Sequence, residues 1–181
     1  SKWKNIHDQI WLIGSHNSQI TIAASSYLEY FHGEITGRPP KIDLLDEKFC
    51  QEFLRNAILK SFVVSSHDIS DGGLAIALAE CCILSEKGAT IQLDKDLNRN
   101  DNLLFGEGGS RIIFSIDKNK ENEWHNYLKK IQINTKASIY VKKIGYVSSE
   151  NLEIKIADEN ICNIGVEELT EKFNNGISSH F

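Results

Sequence analysis

The stretch SSHDISDGGLAIALAECC, from Ser65 to Cys82, limits the fold of this chain more than any other. A cluster of short polar side chains gives way to two glycines and then to a strongly helical apolar run. The residues just before it, FVVSS (Phe62–Ser66), read as a strand. The spacing predicts a helix from about Gly73 to Glu86, with Leu74, Leu78, Cys81 and Cys82 facing a core. A strand, a polar turn, paired glycines and an apolar helix form a β-turn-α unit.

Two readings of the turn stay open at this level. In the first it is purely structural. Asp71 or Ser70 accepts from a free N–H of the first helical turn, and the glycines serve the turn. In the second, a helix N-terminus opened by Gly72 and Gly73 receives a phosphate, because its free N–H groups and dipole favour an anion. Asp68 and Asp71 can then share a Mg²⁺ with that phosphate, since Mg²⁺ takes oxygen ligands and keeps company with phosphates. His67 is either a general base or a partly buried histidine bonded to nearby backbone.

A second loop, FGEGGSR (Phe105–Arg111), carries Gly106, Glu107, Gly108, Gly109, Ser110 and Arg111. Successive N–H groups in such a loop can form an anion nest, and Arg111 can add a charge-assisted contact to phosphate. The competing reading is a flexible connector with a surface arginine.

Elsewhere the pattern gives strands at Gln9–Gly14, Ala89–Leu93 and the end of Leu103–Ile116. Helices are expected over Ile22–Gly33, Leu45–Lys60, about 120–131 and Val166–Phe173. Leu45, Phe49, Phe53, Leu54 and Ala57 recur at helical spacing. Leu93–Asn102 reads as a polar loop, and Gly37–Pro40 as an extended or turn segment. Ser138–Val147, Leu152–Ala157 and Ile161–Gly165 suggest two or three strands in a meander. The order predicts one mixed α/β (α+β) domain over residues 1–181, with helices layered on a mixed sheet.

Composition narrows the function. The 181 residues are 41% hydrophobic and 25% charged, with a net charge of −5, and no long basic run points to nucleic acid or a membrane surface. No apolar run reaches spanning length. Cys50, Cys81, Cys82 and Cys162 lack metal-site spacing and read as reduced core residues of a cytoplasmic protein. The chain opens on Ser1 and has no Met, which reads as a piece of something longer. No P-loop, dinucleotide fingerprint, HExxH or nucleophile elbow occurs. Candidate phosphate loops without a catalytic centre suit a domain that supplies one wall of an active site.

At these residues the chain resembles the phosphoribosylformylglycinamidine synthase family. SSHDISDGGLAIALAE is similar to the signature of that family's C-terminal-type domain, which it shares with the aminoimidazole ribonucleotide synthetase superfamily. IWLIG and SSYLEYFHGEITGRPPKIDL resemble the family's first strand, its Ser-Glu-Tyr-Leu helix and its Gly-x-Pro-Pro-x-x-Asp-Leu segment. LLFGEGGSRIIFSI resembles its Phe-Gly-Glu-Ser-x-Ser-Arg segment, and IGYV and VEELTEKFNNGI its final strand and tail. Related kinases and synthetases usually carry a different turn, such as Thr-Gly-Gly-Gly.

The resemblance implies a fold like the C-terminal domain of aminoimidazole ribonucleotide synthetase. It implies ATP- and Mg²⁺-dependent amidation of formylglycinamide ribonucleotide, with ammonia drawn from glutamine by a separate or fused glutaminase. This chain would be the last domain of a duplicated synthetase subunit. Most ATP and Mg²⁺ contacts and the catalytic histidine would lie in the domains before it, so alone it would be inactive; the alternatives are a non-catalytic scaffold or docking domain, or a domain of another ATP-dependent enzyme of the same superfamily. Apolar surface normally covered by those domains would make a homodimer of the isolated piece plausible. Two departures stand out. Ala23-Ala24-Ser25 replaces the frequent Gly-Gly-Ser, and GEGGSR replaces Glu-Ser-x-Ser-Arg, with the loss of one hydroxyl.

Overall fold

The computed structural model describes residues 1–15, 20–95, 99–132 and 139–176. In chain order its elements are β1 (Gln9–Ser15), α1 (Ser26–His32), α2 (Leu44–Leu59), β2 (Val63–Asp68), α3 (Gly73–Ser85), β3 (Ala89–Leu93) and α4 (Asn100–Phe105). They continue with β4 (Arg111–Ile116), α5 (Glu121–Gln132), β5 (Ile139–Val147), β6 (Asn151–Ile156), β7 (Glu159–Gly165) and α6 (Val166–Asn175). The seven strands form one mixed sheet in the order β2-β4-β1-β5-β3-β6-β7. Only the β3–β6 pair is parallel; the other pairs are antiparallel.

Strand β1 shows why the sheet is covered on both faces. Successive strand side chains point to opposite sides. Ile10 and Leu12 join one core, with Leu74, Leu78, Cys81 and Cys82 of α3, Leu104 of α4 and Val166 of α6. Trp11 and Ile13 join the other, with Cys50, Phe53 and Ala57 of α2 and Trp124 and Leu128 of α5. Trp124 is the hub of that second core. Its ring meets Trp11, Phe53, Phe62 and Phe114 edge-on, at centroid distances of 5.7, 5.9, 5.8 and 5.7 Å. Each such aromatic pair adds about 0.5–1.5 kcal/mol beyond area burial. On β6 the alternation is simpler: Leu152, Ile154 and Ile156 are buried, while Lys155 faces solvent.

The mixed α/β architecture agrees with the sequence reading, and several details correct it. Of the expected meander the β6–β7 hairpin forms, but β3 inserts between β5 and β6. The turn into β3 wedges there: Gly88 N–H donates to Ser149 O, and a Cβ on Gly88 would lie 2.2 Å from Asn151 O. The polar stretch ahead of Phe105 contains α4, a short helix that the asparagines concealed. Residues 96–98 of that stretch, and Ser138 at the expected start of β5, lie outside the described residues. In α2 the inward positions are Cys50, Phe53 and Ala57, whereas Leu45 points outward. Asp43 caps that helix, accepting from the N–H groups of Leu45 and Asp46.

The first helix begins at Ser26 rather than Ile22. Ser25 caps it, its Oγ accepting from Leu28 N–H at 3.3 Å. The residues before it are committed to a turn, in which Ala24 N–H donates to Thr36 O and Ala24 adopts φ +54°. A left-handed conformation costs a side-chain-bearing residue about 1–2 kcal/mol. Ala24→Gly removes that strain while loosening the unfolded chain, and should raise stability to urea by about 0.5–1 kcal/mol. An unchanged or lowered unfolding midpoint would contradict this account of the turn.

Candidate functional site

Pairing of β2 with β4 brings the two glycine loops together. Asp68 lies opposite Ile112, and beyond the strand Ile69 N–H donates to Arg111 O at 3.1 Å. HDISDGG and FGEGGSR therefore leave the same end of adjacent strands.

The paired glycines have a steric cause. Gly72 and Gly73 both take left-handed backbone angles, φ +77° and +72°. A Cβ on Gly73 would lie 2.7 Å from the Phe105 carbonyl carbon, because the end of α4 packs directly onto the start of α3. A Cβ on Gly72 would meet the Ile76 side chain at 2.5 Å. The expected cap is absent. Gly72 itself stands at the N-cap of α3, and no side chain caps it there. Ser70 contributes its carbonyl, which accepts from Gly73 N–H at 3.1 Å, while the side chains of Ser70 and Asp71 face solvent.

An anion does sit at this helix mouth, and the chain supplies it. Glu107 Oε1 accepts from Gly72 N–H and from Ser26 N–H, each at 2.9 Å. One carboxylate thus closes the N-termini of α3 and α1 together, the charge that both helix dipoles favour. Backbone pairing holds it in place: Glu107 N–H donates to Thr21 O at 2.9 Å, and Thr21 N–H to Glu107 O at 3.3 Å. Tyr27 of α1 stacks on Phe105 at 4.8 Å.

The second loop is also more tightly used than its composition implies. Gly106 N–H ends α4 on Asn102 O, and a Cβ there would lie 2.2 Å from that oxygen. With Glu107 N–H spent on Thr21, at most the amides of Gly108, Gly109 and Ser110 are left for a ligand. The left-handed position in this loop belongs to Ser110, φ +59°, whose hydroxyl donates to Glu47 Oε2 at 2.7 Å. Gly109 would tolerate a Cβ, the nearest atom being an Ile42 carbon at 3.6 Å.

Arg111 is not a surface residue. It is 2% exposed, and its Nη1 donates to Gly106 O at 3.2 Å. Its Nε and Nη2 have no hydrogen-bond acceptor among the described residues. Burial pushes the guanidinium down from its ordinary value, and the Tyr140 phenol beside it offsets this in part. Removing an ion from water costs several kcal/mol unless it is paired.

His67 is held by side chains rather than by backbone. Its Nε2 lies 2.8 Å from Glu80 Oε2 and its Nδ1 3.2 Å from Ser1 Oγ, which ties β2 to α3. Asp68 is 80% exposed and approaches the His67 ring at 3.9 Å. Among the described residues no group of three or more His, Cys, Asp or Glu side chains can hold a metal ion. Mg²⁺ beside Asp68 and Asp71 would take its remaining ligands from a phosphate or from another domain. The four cysteines are free, and burial pushes the Cys50, Cys81 and Cys82 thiols up to about 12. No helix among the described residues is long and apolar enough to cross a membrane.

Residue-type reasoning had placed Glu107 among ligand contacts. Its role as an internal anion, and that of Glu47 as the anchor of Ser110, depend on chain segments at least 35 residues apart and leave no local pattern. Glu107→Ala should destabilise the chain by about 2 kcal/mol, the worth of hydrogen bonds to a charged acceptor at a part-exposed position. Amide exchange at Gly72 and Ser26 should accelerate with it, and Glu107→Gln should lose less. Unchanged protection at both amides would refute the bridging role.

The chain as a whole is similar to known proteins. The chain is 82% identical, over its whole length, to phosphoribosylformylglycinamidine synthase subunit PurL of Prochlorococcus marinus strain MIT 9312, and spans 23% of that protein. It is 40% identical to the subunit of the same name from strain MIT 9313, with 97% of this chain and 23% of that one covered. Thermotoga maritima PurL complexed with FGAR has the same fold, with a TM-score of 0.72 at 17% identity, over 94% of this chain and 29% of that one. T. maritima PurL complexed with ATP aligns with a TM-score of 0.69 at 15% identity, over 94% and 27%. The family described as AIR synthase related protein, C-terminal domain, matches residues 5–155, and this chain belongs to it.

Proposed function

We propose that this chain serves as the last domain of the synthetase subunit of a phosphoribosylformylglycinamidine synthase. The subunit would amidate formylglycinamide ribonucleotide in purine biosynthesis, in the cytoplasm, at the expense of ATP with Mg²⁺, using ammonia that a glutaminase draws from glutamine. The observation that carries the reading is the 82% identity, across every residue of the chain, to a subunit of that name more than four times as long. In this reading the domain supplies one wall of a site that other domains of the subunit complete, and is inactive alone.

Its contribution is an edge at the β2–β4 end of the sheet, formed by Asp68, Ser70, Asp71, Gly72 and Gly73 with Gly106, Glu107, Gly108, Gly109, Ser110 and Arg111. Gly72 and Gly73 shape this edge, and Glu107 neutralises its helix mouth. Asp68, Ser70 and Asp71 are its exposed side chains and the ones able to face Mg²⁺ or a phosphoryl ligand carried by another domain. The incompletely bonded Arg111 supports an anion on the inner side of the glycine loop. A second reading, that the edge is architectural, is favoured by one observation: the amide of Gly72, the natural phosphate donor, is already bonded to Glu107.

The two readings separate in the full-length subunit supplied with glutaminase and glutamine. Asp68→Ala combined with Asp71→Ala removes two exposed carboxylates and should leave stability unchanged. If the edge faces Mg²⁺ or phosphate, kcat/KM for formylglycinamide ribonucleotide or Mg-ATP should fall at least about tenfold, about 1.4 kcal/mol. Unaltered kinetics would leave the architectural reading. Synthase turnover by the 181 residues alone would overturn the proposal.

A further inference from the structure

The exposed apolar side chains of this molecule are concentrated in one run of the chain. Tyr30, Phe31, Ile35, Ile42, Leu44 and Leu45 are between 62% and 81% exposed. They come from α1, from the segment that follows it, and from the first turn of α2. Helix α1 contains no buried residue at all, and residues 29–39 are all exposed. The burial that normally stabilises a short helix is missing here. What fixes the run instead is a few specific contacts: Glu107 on Ser26 N–H, Thr36 O on Ala24 N–H, and Tyr27 stacked on Phe105. The run is held in place, and its apolar side faces outward. So many exposed large apolar side chains in one stretch of chain mark an interaction surface.

We infer that the Tyr30–Leu45 run is the seat of another domain of the same synthetase polypeptide. The inference rests on the proposed function for the identity of that polypeptide. Two observations favour this occupant over a second copy of the chain. The relatives that match the whole chain at 79–82% identity carry about three quarters of their length outside the matched region. The patch also borders the candidate edge, since Ile42 lies against Gly109 and α1 shares the Glu107 carboxylate with α3. A domain seated here would lie beside the Gly106–Arg111 loop and supply the wall that the edge lacks.

The test uses the full-length subunit, with a photo-crosslinking residue placed at Tyr30 or at Leu45 and a control at Lys155 on the polar side of β6. Mass spectrometry then maps the products. Crosslinks from Tyr30 and Leu45 to residues of the same polypeptide outside this region, in monomeric product and absent from the control, are the expected result. Crosslinks between two copies of this region would overturn it in favour of a dimer, and a yield no higher than the control would overturn it outright. The readout does not depend on turnover. Expected crosslinks in a subunit that fails to amidate formylglycinamide ribonucleotide would sink the proposed function and leave the docking surface standing.

Discussion

A single carboxylate oxygen holds the β2–β4 end of this domain together. Glu107 Oε1 takes the amides of Ser26 and Gly72 at once, and so joins the starts of two helices that lie 46 positions apart in the chain. Much else depends on that junction. It sets where α1 stands, and therefore where Tyr30 and Phe31 are displayed. It lets α4 end against α3, a contact close enough to exclude any side chain at Gly73. It also satisfies a helix mouth that would otherwise attract an external anion. The glycine pair and the acidic glycine loop are thus two halves of one device.

The electrostatics of the edge follow. Negative charge is already in place where the helix dipoles call for it, so Gly72 has no need of a phosphate. The guanidinium of Arg111 is answered only in part: one nitrogen bonds Gly106 O, and the Tyr140 phenol beside it offsets some of the cost of burial. The exposed carboxylates of Asp68 and Asp71 stand outside both. In the proposed function these exposed carboxylates, and not the closed helix mouth, are what the edge offers to a ligand.

Much of this was legible in the sequence wherever the cause was local. The apolar run after Gly73 marked α3 and its buried face, and a short apolar run closed by Gly14 marked β1. The two glycine loops stood out by composition. What stayed hidden was non-local. Insertion of β3 between β5 and β6 depends on a close backbone approach at Gly88. Leu45 has the spacing of a core residue, yet the buried stripe of α2 runs through Asp46, Cys50, Phe53 and Ala57, and Leu45 falls beside it. Asp71 and Ser70 have the chemistry of helix caps, yet two left-handed glycines carry the chain past the geometry a side-chain cap requires. Arg111 has the look of a surface cation because the sequence does not reveal that it starts an interior strand, with β1 on one side and β2 on the other.

The measurement that most directly tests the central claim is an amide NMR titration of this chain with inorganic phosphate, for the native sequence and for Glu107→Ala. If Glu107 is the anion of the helix mouth, the Gly72 and Ser26 resonances of the native chain stay in place at millimolar phosphate, and those of the variant move and saturate. Saturable shifts at Gly72 and Ser26 in the native chain would contradict the account. They would show that the mouth is open to an external phosphate after all.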